Sequence, residues 1–429
     1  MIIRNAKLYG QSRLVDLVMT NGIFEKISPA SSERNEGEID AQGKLVIPPY
    51  VEPHIHLDYA LAAGTPRWNE SGTLFEAIQL WSERKQVVHE TKEDIKLRAK
   101  QALFMQIEHG VQHVRTHVDV TDPSLTGLHA LLELREEMKL WVDVQLVAFP
   151  QEGMYGYRGG DALVEEAVKL GADVVGGIPH YEPTYEEGVA SIKKAFDLAE
   201  KYDKLLDFHC DEVDDEQSRF VEVIAREADR RQMGGRVVAS HTTAMGSYND
   251  AYAYKLFQKL KRSGIHFVSL PKANLHLQGR FDTYPKRRGL TRVKELLEAD
   301  MNVAFGLDSI QDPWYPLGNG NLMSVLDTGI HAAHLTGYNE IVRSLELITL
   351  NGAKALNLMQ YGIEEGHSAN LLIIDAEDEY EAVRKEAIVL YSIRNGEVIV
   401  KRKAPVVEFP QFNRMTYEKN GAERQAPSL

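Results

Sequence analysis

A regular alternation through the long middle of the chain limits its fold more than any other feature. Eight apolar runs recur there: Leu45–Val51, His113–Val120, Val142–Phe149, Ala172–Ile178, Leu205–Cys210, Arg236–Ser240, Ile265–Leu270 and Asn302–Gly306. Between most of them lie segments whose apolar residues fall three to four apart, such as Ile95–Ile107, Ala162–Leu170, Val189–Tyr202, Phe220–Arg231 and Tyr252–Ser263. Near-continuous apolar runs suit strands buried on both faces, and the intervening spacing suits amphipathic helices. The pattern predicts an α/β fold, a (β/α)₈ TIM-type barrel.

Both chain ends have a different texture. Leu14–Met19, the Asn21-Gly22 turn and Ile23–Ile27 read as a hairpin, and the turn signal returns at Asn395-Gly396 beside Ile388–Ile393 and Val398–Val400. One small β-sandwich built from residues 1–45 and 369–402 is expected, with the barrel over 46–368 and an irregular tail over 403–429. No tandem repeat or low-complexity segment interrupts this plan.

Composition narrows the class of partner. Forty-nine basic against 63 acidic residues leave a formal charge of −14, which argues against nucleic acid or an acidic membrane surface. Hydrophobic residues, at 43%, are enough for a large core, yet no run approaches the ~20 apolar residues of a membrane span. A single cysteine, Cys210, excludes an internal disulfide and suits a reducing compartment. With no leader-like segment at the start, a cytoplasmic protein is expected.

Barrels of this kind carry their active sites at the C-terminal ends of the strands, and the metal-ligand residue types cluster there. His54 and His56 close the first run, one residue apart, so both imidazoles project to the same side of an extended strand. The fifth run ends at His209, the sixth is followed by His241, and the eighth by Asp308. His54, His56, His209 and Asp308 make a coordination set for one divalent metal, Fe²⁺ or Zn²⁺, with a place left for water. His241 is either a fifth ligand or a base beside that water. Glu212, just past the fifth strand, is placed for general acid–base work. Any one of these histidines alone would be read as an ordinary polar residue near a loop. Their recurrence at several strand ends points to a site.

Longer motifs support the same reading. Val51-Glu-Pro-His-Ile-His-Leu-Asp58, His113-Val-Arg-Thr-His-Val-Asp-Val120, Val147-Ala-Phe-Pro-Gln-Glu-Gly153, His209-Cys-Asp-Glu212 and Ala239-Ser-His-Thr-Thr-Ala-Met245 resemble the bacterial cytosine deaminase family of the amidohydrolase superfamily. The stretches from His276 to Gly289 and Asp312-Pro-Trp-Tyr-Pro-Leu-Gly318 extend the resemblance over almost the whole chain. It implies a mononuclear metal enzyme that hydrolyses an exocyclic amine from a pyrimidine-like ring, often as a symmetric homo-oligomer. By position it makes Glu212 the proton shuttle, His241 the histidine touching the attacking oxygen, and Asp308 both ligand and proton carrier. Gln151 becomes the amide that reads the ring carbonyl and its neighbouring nitrogen. Leu74, Phe149 and Trp314 become apolar walls.

One departure from the family bears on substrate. Where relatives carry two successive acids after the eighth strand, this chain reads Asp308-Ser309. A serine leaves room beside C5 of the ring and removes a carboxylate from the path of an apolar group. The chain therefore resembles most the variants that accept 5-methylcytosine, and conversion of 5-methylcytosine to thymine, cytosine to uracil, or both is expected. The alternatives are deamination of another amidine-like ring (isocytosine, triazine or creatinine type), a cyclic-amide hydrolase, and a non-catalytic barrel scaffold. Cyclic-amide hydrolases use a bridging lysine after the third or fourth strand, and neither Phe149-Pro-Gln151 nor Gly177-Ile-Pro-His180 offers one.

Overall fold

The computed structural model describes residues 1–32, 35–408 and 416–417. The chain forms two compact units, Met1–Pro48 with Gly362–Leu429, and Pro49–Tyr361.

In the first unit, strands from both ends share one hydrogen-bonded sheet. Its order is Glu397–Lys401, Val389–Arg394, Leu371–Ile374, Leu45–Ile47, Ile2–Leu8, Leu14–Thr20, Ile23–Pro29, with Ile39–Asp40 also paired to Ile2–Leu8. Asn21-Gly22 and Asn395-Gly396 take positive φ at both residues, as two-residue hairpin turns require. Inward side chains such as Leu17, Phe24, Val46, Leu371 and Ile393 pack as one apolar cluster. Beyond it, Val407–Glu408 pairs with Thr416–Tyr417. The rest of the expected irregular tail beyond residue 408 lies outside the described residues.

The second unit is the barrel. Its strands are β1 (Tyr50–Ile55), β2 (Val111–Asp119), β3 (Asp143–Phe149), β4 (Val174–Gly177), β5 (Leu205–Cys210), β6 (Val237–His241), β7 (His266–Ser269) and β8 (Val303–Phe305). They pair in sequential order and all in parallel. Helices connect them, several opened by a side-chain cap: Thr91 with Asp94 as a capping box, Thr184, and Asn249. No helix among the described residues is long and apolar enough to cross a membrane.

One expected strand is divided. The run Leu45–Val51 is broken at Pro48-Pro49, with Leu45–Ile47 in the terminal sheet and β1 starting at Tyr50. Two consecutive residues without an N–H cannot continue a ladder, so the run splits between two sheets.

The barrel closes beside its ligand-type residues. The amide of His56 donates to the carbonyl of Asp308 at 3.0 Å, and the amide of Asp308 donates to the carbonyl of His54 at 2.9 Å. Glu52, fully buried, reinforces this seam by accepting from the backbone N–H groups of His54 (2.8 Å) and Leu307 (3.0 and 3.2 Å). Gly306 permits that approach, since a Cβ there would lie 2.7 Å from the Glu52 Oε1.

Candidate metal centre and active site

Strand direction brings His54, His56, His209, His241 and Asp308 to one end of the barrel, all buried. The Nε2 atoms of His56 and His209 are 3.0 Å apart. The Asp308 Oδ1 stands 3.4 Å from His54 Nε2 and 3.6 Å from His56 Nε2. Ligand atoms of His54, His209, His241 and Asp308 all lie within 4.8 Å of one another, as do those of His54, His56 and His117. His54 Nε2 and His241 Nε2 have no hydrogen-bond partner despite being buried. Burial, followed by the neighbouring imidazoles, holds His54, His56 and His209 well below the usual histidine range, so they are neutral donors of electron pairs. Burial likewise pushes Asp308 up to about 8, with Glu212 and Asp312 adding to it. Neutral imidazoles turned on one another around a desolvated carboxylate make a donor set that a divalent transition metal satisfies.

His54 is aimed by a chain of buried polar groups. The Asp207 carboxylate is held below its usual range: burial opposes this, but His117, Arg115 and the Ser240 hydroxyl outweigh it. Ser240 Oγ donates to this carboxylate at 2.8 Å, and Arg115 donates to it at 3.0 Å. With its hydrogen committed, Ser240 Oγ can only accept from His54 Nδ1, 2.9 Å away. That fixes the tautomer and leaves the Nε2 lone pair for the site.

Glu212 and His241 face each other, with Oε1 and Nδ1 3.2 Å apart. His241 is raised above the ordinary histidine value. Burial alone would lower it, and the charge and hydrogen bond of Glu212, helped by Asp308, reverse the sign. The Asn274 amide lies 3.1 Å from the same Nδ1. His241 and Asp308 both adopt positive φ, at 67° and 68°. For non-glycine residues this conformation is uncommon, and it clusters where structure serves chemistry.

A cavity opens beside these groups. His56, His209, Glu212, His241 and Asp308 line it on one side, with Leu74, Ile78, Gln151, His180, Ser309 and Trp314 around the rest. Leu74 begins a helix, Leu74–Val87, capped by Thr73. Phe149 does not line the cavity. It ends β3, is fully buried, and stacks on His209 with ring centres 4.0 Å apart, so its packing is spent behind the imidazole.

Sequence reasoning overlooked several residues here. His117 on β2 is buried against His54, ring centres 3.9 Å apart, with neither ring nitrogen hydrogen-bonded. His180, just past β4, lines the cavity. The strand-end rule that found His209 and His241 would have found both. Tyr59 stacks between His56 and Trp314, at 4.7 Å from each ring, and its hydroxyl donates to Gln151 Oε1 at 2.8 Å. No pattern in the sequence marks it.

Comparison with known proteins agrees with this geometry. Residues 37–400 match the family described as Amidohydrolase family. The crystal structure of a 5-methylcytosine deaminase from Klebsiella pneumoniae liganded with 5-fluorocytosine superposes with a TM-score of 0.94 at 55% identity, covering 96% of this chain and 100% of that one. Among curated relatives, an N-isopropylammelide isopropyl amidohydrolase from Pseudomonas is 29% identical, over 94% of this chain and 97% of its own. A pterin deaminase from Rhizobium rhizogenes is 26% identical, over 90% and 87%.

Proposed function

This chain belongs to the amidohydrolase family, and we propose that it hydrolyses the exocyclic amine of a pyrimidine base, converting 5-methylcytosine to thymine and cytosine to uracil with release of ammonia. The observation that carries the reading is the 55% identity, across nearly the whole chain, to a 5-methylcytosine deaminase. Ser309 beside the cavity supports the methylated base, because a small side chain there admits the methyl group.

His54, His56, His209 and Asp308 would hold one divalent metal, Fe²⁺ or Zn²⁺, both of which suit imidazole and carboxylate donors. Such a cation supplies Lewis acidity and makes hydroxide available near neutral pH. Gln151 orients the ring by pairing with its carbonyl edge, while Leu74 and Trp314 flank it. Glu212 takes a proton from the attacking water and delivers it to the ring nitrogen next to the amine-bearing carbon. His241, whose hold on a proton Glu212 strengthens, stabilises the oxygen as charge develops on it. Asp308 takes the second proton from the added oxygen and passes it to the amine, and as the C–N bond breaks ammonia leaves.

The reading includes a homo-oligomer in the cytoplasm, where the buried, unpaired Cys210 stays reduced. Ammonia release across cytosine, 5-methylcytosine, isocytosine, creatinine and an aminotriazine tests the substrate. Turnover of the first two well above the others is expected. Preference for a triazine, as the similarity to the Pseudomonas enzyme would favour, overturns it.

A further inference from the structure

Tyr59 is 1% exposed, and its ring lies nearly parallel to both neighbours, at 5° to His56 and 14° to Trp314. Held between two rings, its own ring cannot swing and the phenol oxygen stays in place. A phenol is protonated at neutral pH, so the O–H is a donor here. A buried O–H needs an acceptor. Its one hydrogen bond is to Gln151 Oε1 at 2.8 Å. Were the amide turned over, its N–H₂ could donate to the phenol oxygen, but the phenol hydrogen would be left buried without an acceptor. The amide orientation is therefore set by chemistry and not only by fit.

We propose that Tyr59 is a positioning residue that locks the Gln151 amide with Nε2 toward the cavity, making this site selective for rings with an oxygen acceptor at the recognised edge. Gln151 lines the cavity, and among the described residues no protein group takes up its Nε2 hydrogens. A ring oxygen meets them as an acceptor, whereas an amine at the same place would oppose donor to donor. Oε1 keeps a second lone pair for the adjacent ring N–H. The inference rests on the proposed deaminase reading but concerns the selectivity of the edge, whichever ring is the best substrate.

Tyr59→Phe keeps the stack and removes only the hydroxyl. Rings are compared in pairs that differ in one oxygen-for-amine exchange: cytosine with 2,4-diaminopyrimidine, and ammeline with melamine. The variant is expected to keep its metal content and a kcat within about twofold of the parent, while KM for the oxo ring rises about tenfold. Its oxo-over-amino preference should fall by about tenfold or more, because the freed amide can turn. A second variant, Gln151→Glu, lets Tyr59 donate to one carboxylate oxygen while the other faces the cavity as an acceptor. Its preference should shift toward the amine-bearing ring. Unchanged preference in both variants, or loss of bound metal in Tyr59→Phe, overturns the proposal. A parent active only on triazines sinks the pyrimidine reading and still allows the preference to be measured. A parent inactive on every pair overturns both.

Discussion

Replacing Ser309 by aspartate should turn the enzyme against 5-methylcytosine. Ser309 is 2% exposed and lines the same cavity as Gln151 and Trp314. In the parent, a methyl group beside Ser309 is removed from water, worth about 0.8 kcal/mol for one carbon, or roughly fourfold in specificity. An aspartate would fill that space. It would also enter a region where burial already pushes Asp312 up to about 7 and Asp308 up to about 8. A methyl set against this third acid strips its polar partners at a cost of about 1–3 kcal/mol. Together the two effects amount to about 2–4 kcal/mol, so the ratio of kcat/KM for 5-methylcytosine over cytosine should fall roughly 20- to 600-fold. Steady-state kinetics on both bases, at equal metal content, measures it. Ser309→Ala serves as the control and should keep the parent ratio, since it keeps the space. A parent that rejects 5-methylcytosine, or a Ser309→Asp ratio within about threefold of the parent, refutes the reasoning.

Three other perturbations probe separate parts of the argument. Glu212→Gln should retain metal and substrate binding but lose about 10²–10⁴-fold in single-turnover rate, and near-normal turnover would remove Glu212 from proton transfer. Ser240→Ala breaks the link between Asp207 and His54, so metal affinity measured against a competing chelator should fall about 10- to 100-fold; unchanged affinity would show that His54 needs no such support. In the terminal sheet, hydrogen bonds from Arg4 lower Glu38 from 4.5 to about 2. A depressed carboxylate contributes stability that is fully present above its unfolded value and lost as pH falls through its folded one. The thermal midpoint of Glu38→Gln should therefore lie below the parent's above about pH 4.5, with the gap closing toward pH 2; a gap that ignores pH would contradict the assignment.

The barrel was legible because each buried strand is a local apolar run and each ligand type stands at its end. His209 and His241 could be placed from one segment apiece. The Arg115–Asp207–Ser240–His54 chain could not, because it depends on which residues of β5 and β6 lie side by side. The structure aligns Asp207 with Val238 and His209 with Ser240, a register no single segment encodes. Tyr59 was invisible for the same reason, since Trp314 and Gln151 are distant in sequence and only the fold brings them to it. Phe149, which the family resemblance makes an apolar wall, packs behind His209 instead, since the apolar run it ends says that the ring is buried but not which neighbour it covers. Pro48-Pro49 was a local signal that could have been read: a strand assignment running through two prolines ignores the loss of two backbone donors.

Barrel closure and site assembly are the same structural event in this chain. β8 is only three residues long, so it contributes little ladder to the seam with β1. The hydrogen bonds that finish the seam come from His54, His56 and Asp308 themselves, backed by the Glu52 carboxylate. A buried carboxylate without a cationic partner is costly, and burial pushes Glu52 well above its usual range. That cost is offset where backbone N–H groups at the end of the barrel would otherwise be left unpaired. Because the same peptide units that close the sheet also present the His54, His56 and Asp308 side chains, their spacing is set by the sheet and not by flexible loops. Three donors from two strand ends held this way are pre-organised before any cation arrives, which is the condition under which metal binding energy goes into the chemistry and not into ordering the protein.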